Sequence, residues 1–276
     1  MIEKRNYITR LGVYVLLAAI TVIALLPFIW MLSSALKHDV DVFAVPIQWI
    51  PKNPVWSNYS VIWGKINFAL FIFNSFKLSI IVTVIQLFTS AFAAYGFAKC
   101  RFPGRDTLFF FYIATIAIPW QVYMLPQYTE MRILHLTNTH LGYVFMHCFT
   151  AFGVFLVRQF YQSIPDELLD AARIDGLNEY GSFFHIMLPL SKPVLATLTI
   201  FTFVNVWNDF MGPLIYFDSE RLKTIPLGIR MFMGVYSTEY GLIMAASVVS
   251  LVPVFIVFAL FQRFFVEGVA NTGLKG

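Results

Sequence analysis

The stretch from Ile164 to Pro193 reads I-P-D-E-L-L-D-A-A-R-I-D-G-L-N-E-Y-G-S-F-F-H-I-M-L-P-L-S-K-P, a polar insert in an otherwise strongly apolar chain. Pro165 suits a first helical turn, where its missing N–H has no intrahelical partner to lose. Ser163 and Asp166 have the spacing of a capping box. Asp166 and Glu167 stand where the positive end of a helix dipole favours acids. Leu168, Ala171, Ala172 and Asp175 recur at helical spacing and define one face. Gly176 supplies the left-handed residue that closes such a helix. Asn178 then caps a second short helix carrying Tyr180, Phe183, Phe184 and Met187 as an apolar stripe, and Pro189 breaks it. Two short helices at an angle make a projecting knob that a groove on another protein can hold.

The rest of the chain calls for a bilayer. Of 276 residues, 59% are hydrophobic and 12% charged, with a mean hydropathy of +0.73, whereas soluble domains carry roughly 25% charged residues. The net charge of +4 comes without a basic run, which argues against nucleic acid. Cys100 and Cys148 are too few and too scattered for a disulfide framework or a zinc site. No Walker A phosphate loop occurs, so ATP hydrolysis would belong to a partner. No Ser–His–Asp set or carboxylate pair marks a catalytic centre, so the chain is not expected to be an enzyme.

An all-α membrane protein with six spans is expected. Lys4, Arg5 and Arg10 precede an uncharged run from Leu11 to Leu36, too long for a secretory signal and therefore a first span. Asp39 to Lys65 is an external connection, with an interfacial helix expected over Asn58 to Asn67. Further spans cover about Asn74–Ala98, Leu108–Tyr128, Leu141–Tyr161, Val194–Tyr216 and Leu242–Phe264. Lys77 is placed to snorkel, and Pro119 and Pro126 should kink the third span. Residues 1–67 thus form the first span and its connection, 68–266 a five-helix core with the loop 164–193, and 267–276 a cytoplasmic tail ending Gly273-Leu274-Lys275-Gly276.

With the N-terminus inside, Lys4, Arg5, Arg10, Lys99, Arg101, Arg105, Arg158, Arg173, Lys192, Arg263 and Lys275 are cytoplasmic. Lys37, Lys52, Lys65, Arg132, Arg221, Lys223 and Arg230 are outside, fewer and spread over longer loops. The positive-inside bias therefore puts both termini and the knob in the cytoplasm, without using any motif.

Asp170-Ala171-Ala172, Gly176 and Ile186-x-Leu188-Pro189 resemble the EAA loop of ABC-importer permeases. That pattern is Glu-Ala-Ala, three residues, Gly, nine residues, then Ile-x-Leu-Pro. Asp170 is the one departure, a shorter carboxylate of equal charge. With Asp175, Leu190 and Pro193 the loop is similar to that of maltose-type carbohydrate-uptake permeases. The likeness extends to Leu136, Asn138-Thr139 and Gly142-Tyr143, and to Trp207-Asn208-Asp209-Phe210 with Pro213-Leu214. Ala245-Ala246-Ser247, Pro253, Gln262-Arg263 and the closing residues continue it, and the unadorned layout resembles the smaller, second permease of a pair.

The resemblance implies the transmembrane domain of a type I ABC importer in a bacterial or archaeal plasma (inner) membrane. Its implied partners are a homologous second permease, two ATPase copies that use ATP and magnesium, an extracytoplasmic solute-binding protein and a carbohydrate substrate (oligosaccharide, sugar or polyol derivative). It assigns ATPase coupling to Asp170, Ala171, Ala172, Asp175, Gly176, Ile186, Leu188 and Pro189. No cofactor or metal is expected in this chain itself.

Asn205, Asn208 and Asp209 have the spacing of one face of the fifth span. Polar groups at membrane depth should face the bundle interior or a wet cavity, and with Phe203 and Trp207 nearby they suit a sugar path. Equally, Asp209 at an outer interface would serve only to anchor the helix. Gln121, Gln127 and Thr129 are weaker path candidates, and His147 and Cys148 read as packing residues. The rival reading is a secondary transporter driven by an ion gradient. That would call for paired intramembrane ionisable groups and an inverted repeat, whereas only Asp209 lies well inside a span and no repeat is evident.

Overall fold

The computed structural model describes residues 2–234 and 238–273, with side chains described over 9–234 and 238–264. Leu274, Lys275 and Gly276, expected to close a cytoplasmic tail, lie outside the described residues. Those described are helical apart from turns, loops and one isolated antiparallel bridge, Met233–Thr238.

The chain divides into two compact units, one of residues 1–68 and 228–251, the other of 69–227 and 252–276. In the first, α1 (Ile2–Ser34) carries Pro27 inside it and exposes most of its large apolar side chains between Leu11 and Leu32. The short α2 (Asp39–Val42) and α3 (Ser57–Lys65) follow, the latter close to the expected interfacial helix. Asn58 ties this connection together by donating to the carbonyls of Ala35 and Lys37, both at 3.0 Å. Asp39 accepts the Gly241 N–H at 2.8 Å, and Lys65 pairs with Glu239.

The second unit is built around α4 (Phe68–Lys99), a single span of 32 residues. After the turn at Gly104, whose φ of 79° suits glycine, come α5 (Arg105–Ala114) and α6 (Trp120–Ile133). The pair bends by 101°. Pro119 starts α6 and Pro126 lies within it, so the expected kink is a break at the first proline. Next are α7 (His140–Met146) and α8 (Ala151–Gln162), bent by 47°. Thr139 and Thr150 cap them through the N–H groups of Gly142 and Gly153.

The loop supplies α9 (Glu167–Ile174), α10 (Glu179–Ser182), a π-helical turn over Phe183–Met187 and α11 (Leu188–Leu190). Then α12 (Lys192–Trp207) and α13 (Met211–Tyr216) replace the expected unbroken fifth span, followed by α14 (Ile225–Arg230) and α15 (Tyr240–Gly273). The last helix continues past the expected end of the span at Phe264. Among the described residues, three helices are long and apolar enough to cross a membrane, and the count reaches six if each of three bent pairs is one span.

Two buried clusters organise this unit. Ala91, Tyr95, Val157, Tyr161, Leu169, Phe183, Met187 and Leu198 join α4, α8 and α12 to the loop. Leu78, Val82, Met131, Tyr143, Val206, Tyr216 and Phe217 form the other. Lys77 does not simply snorkel, because its ammonium donates to His140 Nδ1 at 2.7 Å.

Candidate functional site

The loop is an angular structure held by its own hydrogen bonds. At the end of α9 the N–H of Leu177 donates to Ala172 (2.9 Å) and that of Gly176 to Arg173 (3.1 Å). This Schellman pair satisfies helix-end carbonyls, and Gly176 sits in the left-handed region at φ 85°. Asn178 caps α10 by accepting the Gly181 N–H at 2.7 Å. The expected capping box does not form. Ser163 donates back to the Phe160 carbonyl at 2.7 Å, ending α8. Asp166 is the helical N-cap residue of α9 without a side-chain cap bond, because its carboxylate is taken by Lys99.

The expected faces also divide. On α9, Ala172 is buried together with Leu169, while Leu168, Ala171, Asp175 and Asp170 are exposed. Ile174 is 87% exposed, an unusual setting for isoleucine in a polar loop. On the second helical run, Phe183 and Met187 are buried and Tyr180 and Phe184 face out. Ile186 and Leu188 are half-buried and Pro189 is exposed. Pro189 does not break the run. The π-helical turn before it absorbs the missing N–H, and the chain turns by 75° only after Leu190. There buried Ser191 bonds Tyr161 at 2.8 Å.

Two anchors hold the loop to the end of α4. The Lys99 ammonium, with its side chain only 4% exposed, donates to the Ile164 carbonyl at 2.7 Å and to Asp166. One turn earlier, Tyr95 donates to Glu179 at 2.6 Å. Arg173 crosses the loop, donating to Glu179 at 3.1 Å and to Asp170 at 2.8 Å. Lys99 holds the Asp166 carboxyl below its ordinary range, and the Tyr95 hydroxyl, helped by Arg173, does the same for Glu179.

Among the spans of the second unit lies a cavity of about 410 Å³. Asn205 and Asp209 line it, with Gln86, Gln127, Trp120, Tyr143, His147 and a set of phenylalanines. Asn208 does not. The expected common face fails because α12 ends at Trp207, leaving Asn208 as its C-cap and Asp209 in the link to α13. Asp209 Oδ1 accepts the Gly212 N–H at 3.1 Å and Oδ2 accepts the Tyr143 hydroxyl at 2.7 Å. His147 Nε2 stands 3.9 Å from Oδ2, so this residue belongs to the cavity wall as well as to the packing. Cys148 donates to the Val144 carbonyl at 3.1 Å.

Of the weaker candidates, Gln127 lines the cavity and Gln121 does not. Thr129 donates to the Leu125 carbonyl of its own helix at 3.1 Å. Sequence reasoning missed Gln86, which donates to the His147 carbonyl at 2.7 Å and accepts from Thr202 at 3.0 Å. Its signal was an amide side chain in the middle of a mostly apolar run.

Comparison with known proteins matches residues 86–271 to the family described as binding-protein-dependent transport system inner membrane component. The arabinooligosaccharides transport system permease protein AraQ of Bacillus subtilis (strain 168) is 33% identical over 97% of this chain and 96% of its own. The sn-glycerol-3-phosphate transport system permease protein UgpE of Yersinia enterocolitica is 33% identical over 99% of each chain. A crystal structure of a bacterial ABC transporter involved in the import of the acidic polysaccharide alginate matches with a TM-score of 0.82. That likeness covers 94% of this chain and 97% of that one at 23% identity, and shows the shared fold, the transmembrane domain of a type I ABC importer. These relatives are transport subunits rather than enzymes. The chain belongs to the binding-protein-dependent transport system inner membrane component family.

Proposed function

We propose that this chain is the second permease of an ATP-driven carbohydrate importer, with the loop 164–193 as its coupling element and the 410 Å³ cavity as part of its path. The loop geometry carries the reading. A left-handed Gly176 sets two short helices at an angle, and Lys99 and Tyr95 fix both of them to a membrane-spanning helix. Force applied to the exposed surface of Leu168, Ala171, Ile174 and Asp175 would therefore reach α4 without being lost in a slack hinge.

In this reading a second homologous permease completes the path, and two ATPase copies seat the coupling loops. ATP and magnesium bind to those copies and not to this chain. A binding protein delivers substrate from outside, and both termini face the cytoplasm, as the lysine and arginine distribution indicates. Closure of the ATPase dimer moves the loop, and the spans change between inward-facing and outward-facing states. The relatives' names include a neutral oligosaccharide and a sugar-like phosphate, so they leave open the charge of what this chain carries.

The test is to purify the tagged permease from its own membranes and reconstitute what comes with it. Co-purifying ATPase subunits and ATP-dependent uptake of a labelled oligosaccharide support the reading. Uptake by the permease alone, driven by an ion gradient without ATP, would favour the secondary transporter instead.

A further inference from the structure

We propose that the cavity admits a neutral polyhydroxylated ligand and turns away an anionic one, with the Asp209 carboxylate making the choice. The inference rests on the reading of this cavity as part of the path. Its lining contains no lysine or arginine, and Asp209 is its one carboxylate. No lysine or arginine of the wall pairs with that carboxylate. Its oxygens take a backbone N–H from Gly212 and the hydroxyl of Tyr143, both neutral donors. His147 donates through Nδ1 to the Tyr143 carbonyl at 2.9 Å. At 3.9 Å, Nε2 makes no hydrogen bond to Asp209.

The start of α8 gives the Gly153 N–H to Thr150, and the start of α13 gives the Gly212 N–H to Asp209. A phosphate, sulfonate or uronate entering here would meet a like charge and no lysine or arginine of this wall, at reduced dielectric. A sugar ring meets what it needs. Gln127 accepts from Trp120 Nε1 at 2.9 Å through its carbonyl oxygen, which leaves its amide N–H groups to donate. Asn205 offers both a donor and an acceptor, and the Trp120 and Phe201 faces supply the apolar surface that sugar C–H groups cover.

The experiment uses the complete importer in membrane vesicles, with Asn205→Cys introduced beside Cys100→Ser and Cys148→Ser. Two thiosulfonate reagents are compared, one bearing trimethylammonium and the other sulfonate, each rate being divided by that with a free thiol in solution. The cationic reagent should be favoured about tenfold or more, Asp209→Asn should bring the ratio close to one, and modification should block uptake. Equal rates with Asp209 present, together with blocked uptake, would overturn the charge selection while leaving the path reading in place. Uptake that continues after full modification would overturn the path reading, and the proposal with it. Phe201→Cys, on the same wall, gives the same comparison should Asn205→Cys fail to assemble.

Discussion

The Tyr95 hydroxyl donates to Glu179 at 2.6 Å, joining the C-terminal end of α4 to the second helix of the loop. Together with Lys99 it makes the loop an extension of α4 rather than a flexible connection. Tyr95→Phe keeps the buried ring and removes only this bond to a carboxylate, a loss of about 1.5–3 kcal/mol. The expected result is a permease that inserts and binds its ATPase normally but hydrolyses several times more ATP per substrate imported. Measuring hydrolysis and uptake in the same proteoliposomes decides it, and an unchanged ratio would remove Tyr95 from the coupling route.

Gly176 gives a prediction about backbone alone. A Cβ built there meets nothing within 4 Å, yet φ is 85°. Replacement therefore costs left-handed strain of about 1 kcal/mol for alanine and more for a branched side chain. Gly176→Asn should retain most uptake, because asparagine tolerates this region. Gly176→Val should leave a membrane-inserted permease with weak ATPase binding or futile hydrolysis. Co-purification of the ATPase with uptake in the same cells distinguishes the two, and normal uptake in Gly176→Val would contradict the role of the turn.

Gly212 is tight where Gly176 is open. A Cβ there would lie 2.4 Å from Asp209 Oδ2, the oxygen that Tyr143 holds. Gly212→Ala should displace the carboxylate and lower uptake at least several-fold, with assembly preserved. Assembly is read by co-purification. Wild-type uptake from a well-assembled Gly212→Ala complex would show that the position of Asp209 is immaterial.

The loop anchors also have a pH signature. Asp166 and Glu179 have folded pKa values held below their ordinary ones. Their contribution is present above the unfolded value, about 4, and is lost as pH falls through the folded values. Amide exchange protection of residues 164–193 should thus be flat from about pH 5 to 8 and fall only in more acidic solution. A fall between pH 5 and 7 would contradict this account of the anchors.

The turn and caps of the loop were legible because glycine and asparagine impose local geometry whatever surrounds them. Gly176 and Asn178 do in the structure what their positions implied. The buried side of α9 was not legible. Leu168 and Leu169 are equally apolar, and only tertiary packing, in a cluster with residues of α4, α8 and α12, buries the second. The capping box failed because Ser163 bonds back to Phe160 and Lys99, distant in sequence, claims the Asp166 carboxylate. The fifth span hid its break for a related reason, since an apolar run carries no mark where it leaves helical geometry. The available signal was Asp209 three residues before Gly212, the spacing of a side-chain cap. The cavity was readable only in part, because glutamines such as Gln86 acquire partners from other spans.

The most direct test of the coupling reading is photocrosslinking from position 174, where a photoreactive phenylalanine replaces Ile174 in the active complex. Ile174 is the most exposed large apolar side chain of the loop. The expected result is an adduct with the ATPase subunit whose yield changes when ATP is bound. A complex that imports substrate normally while position 174 crosslinks only lipid or water would contradict the claim that this loop seats in the ATPase.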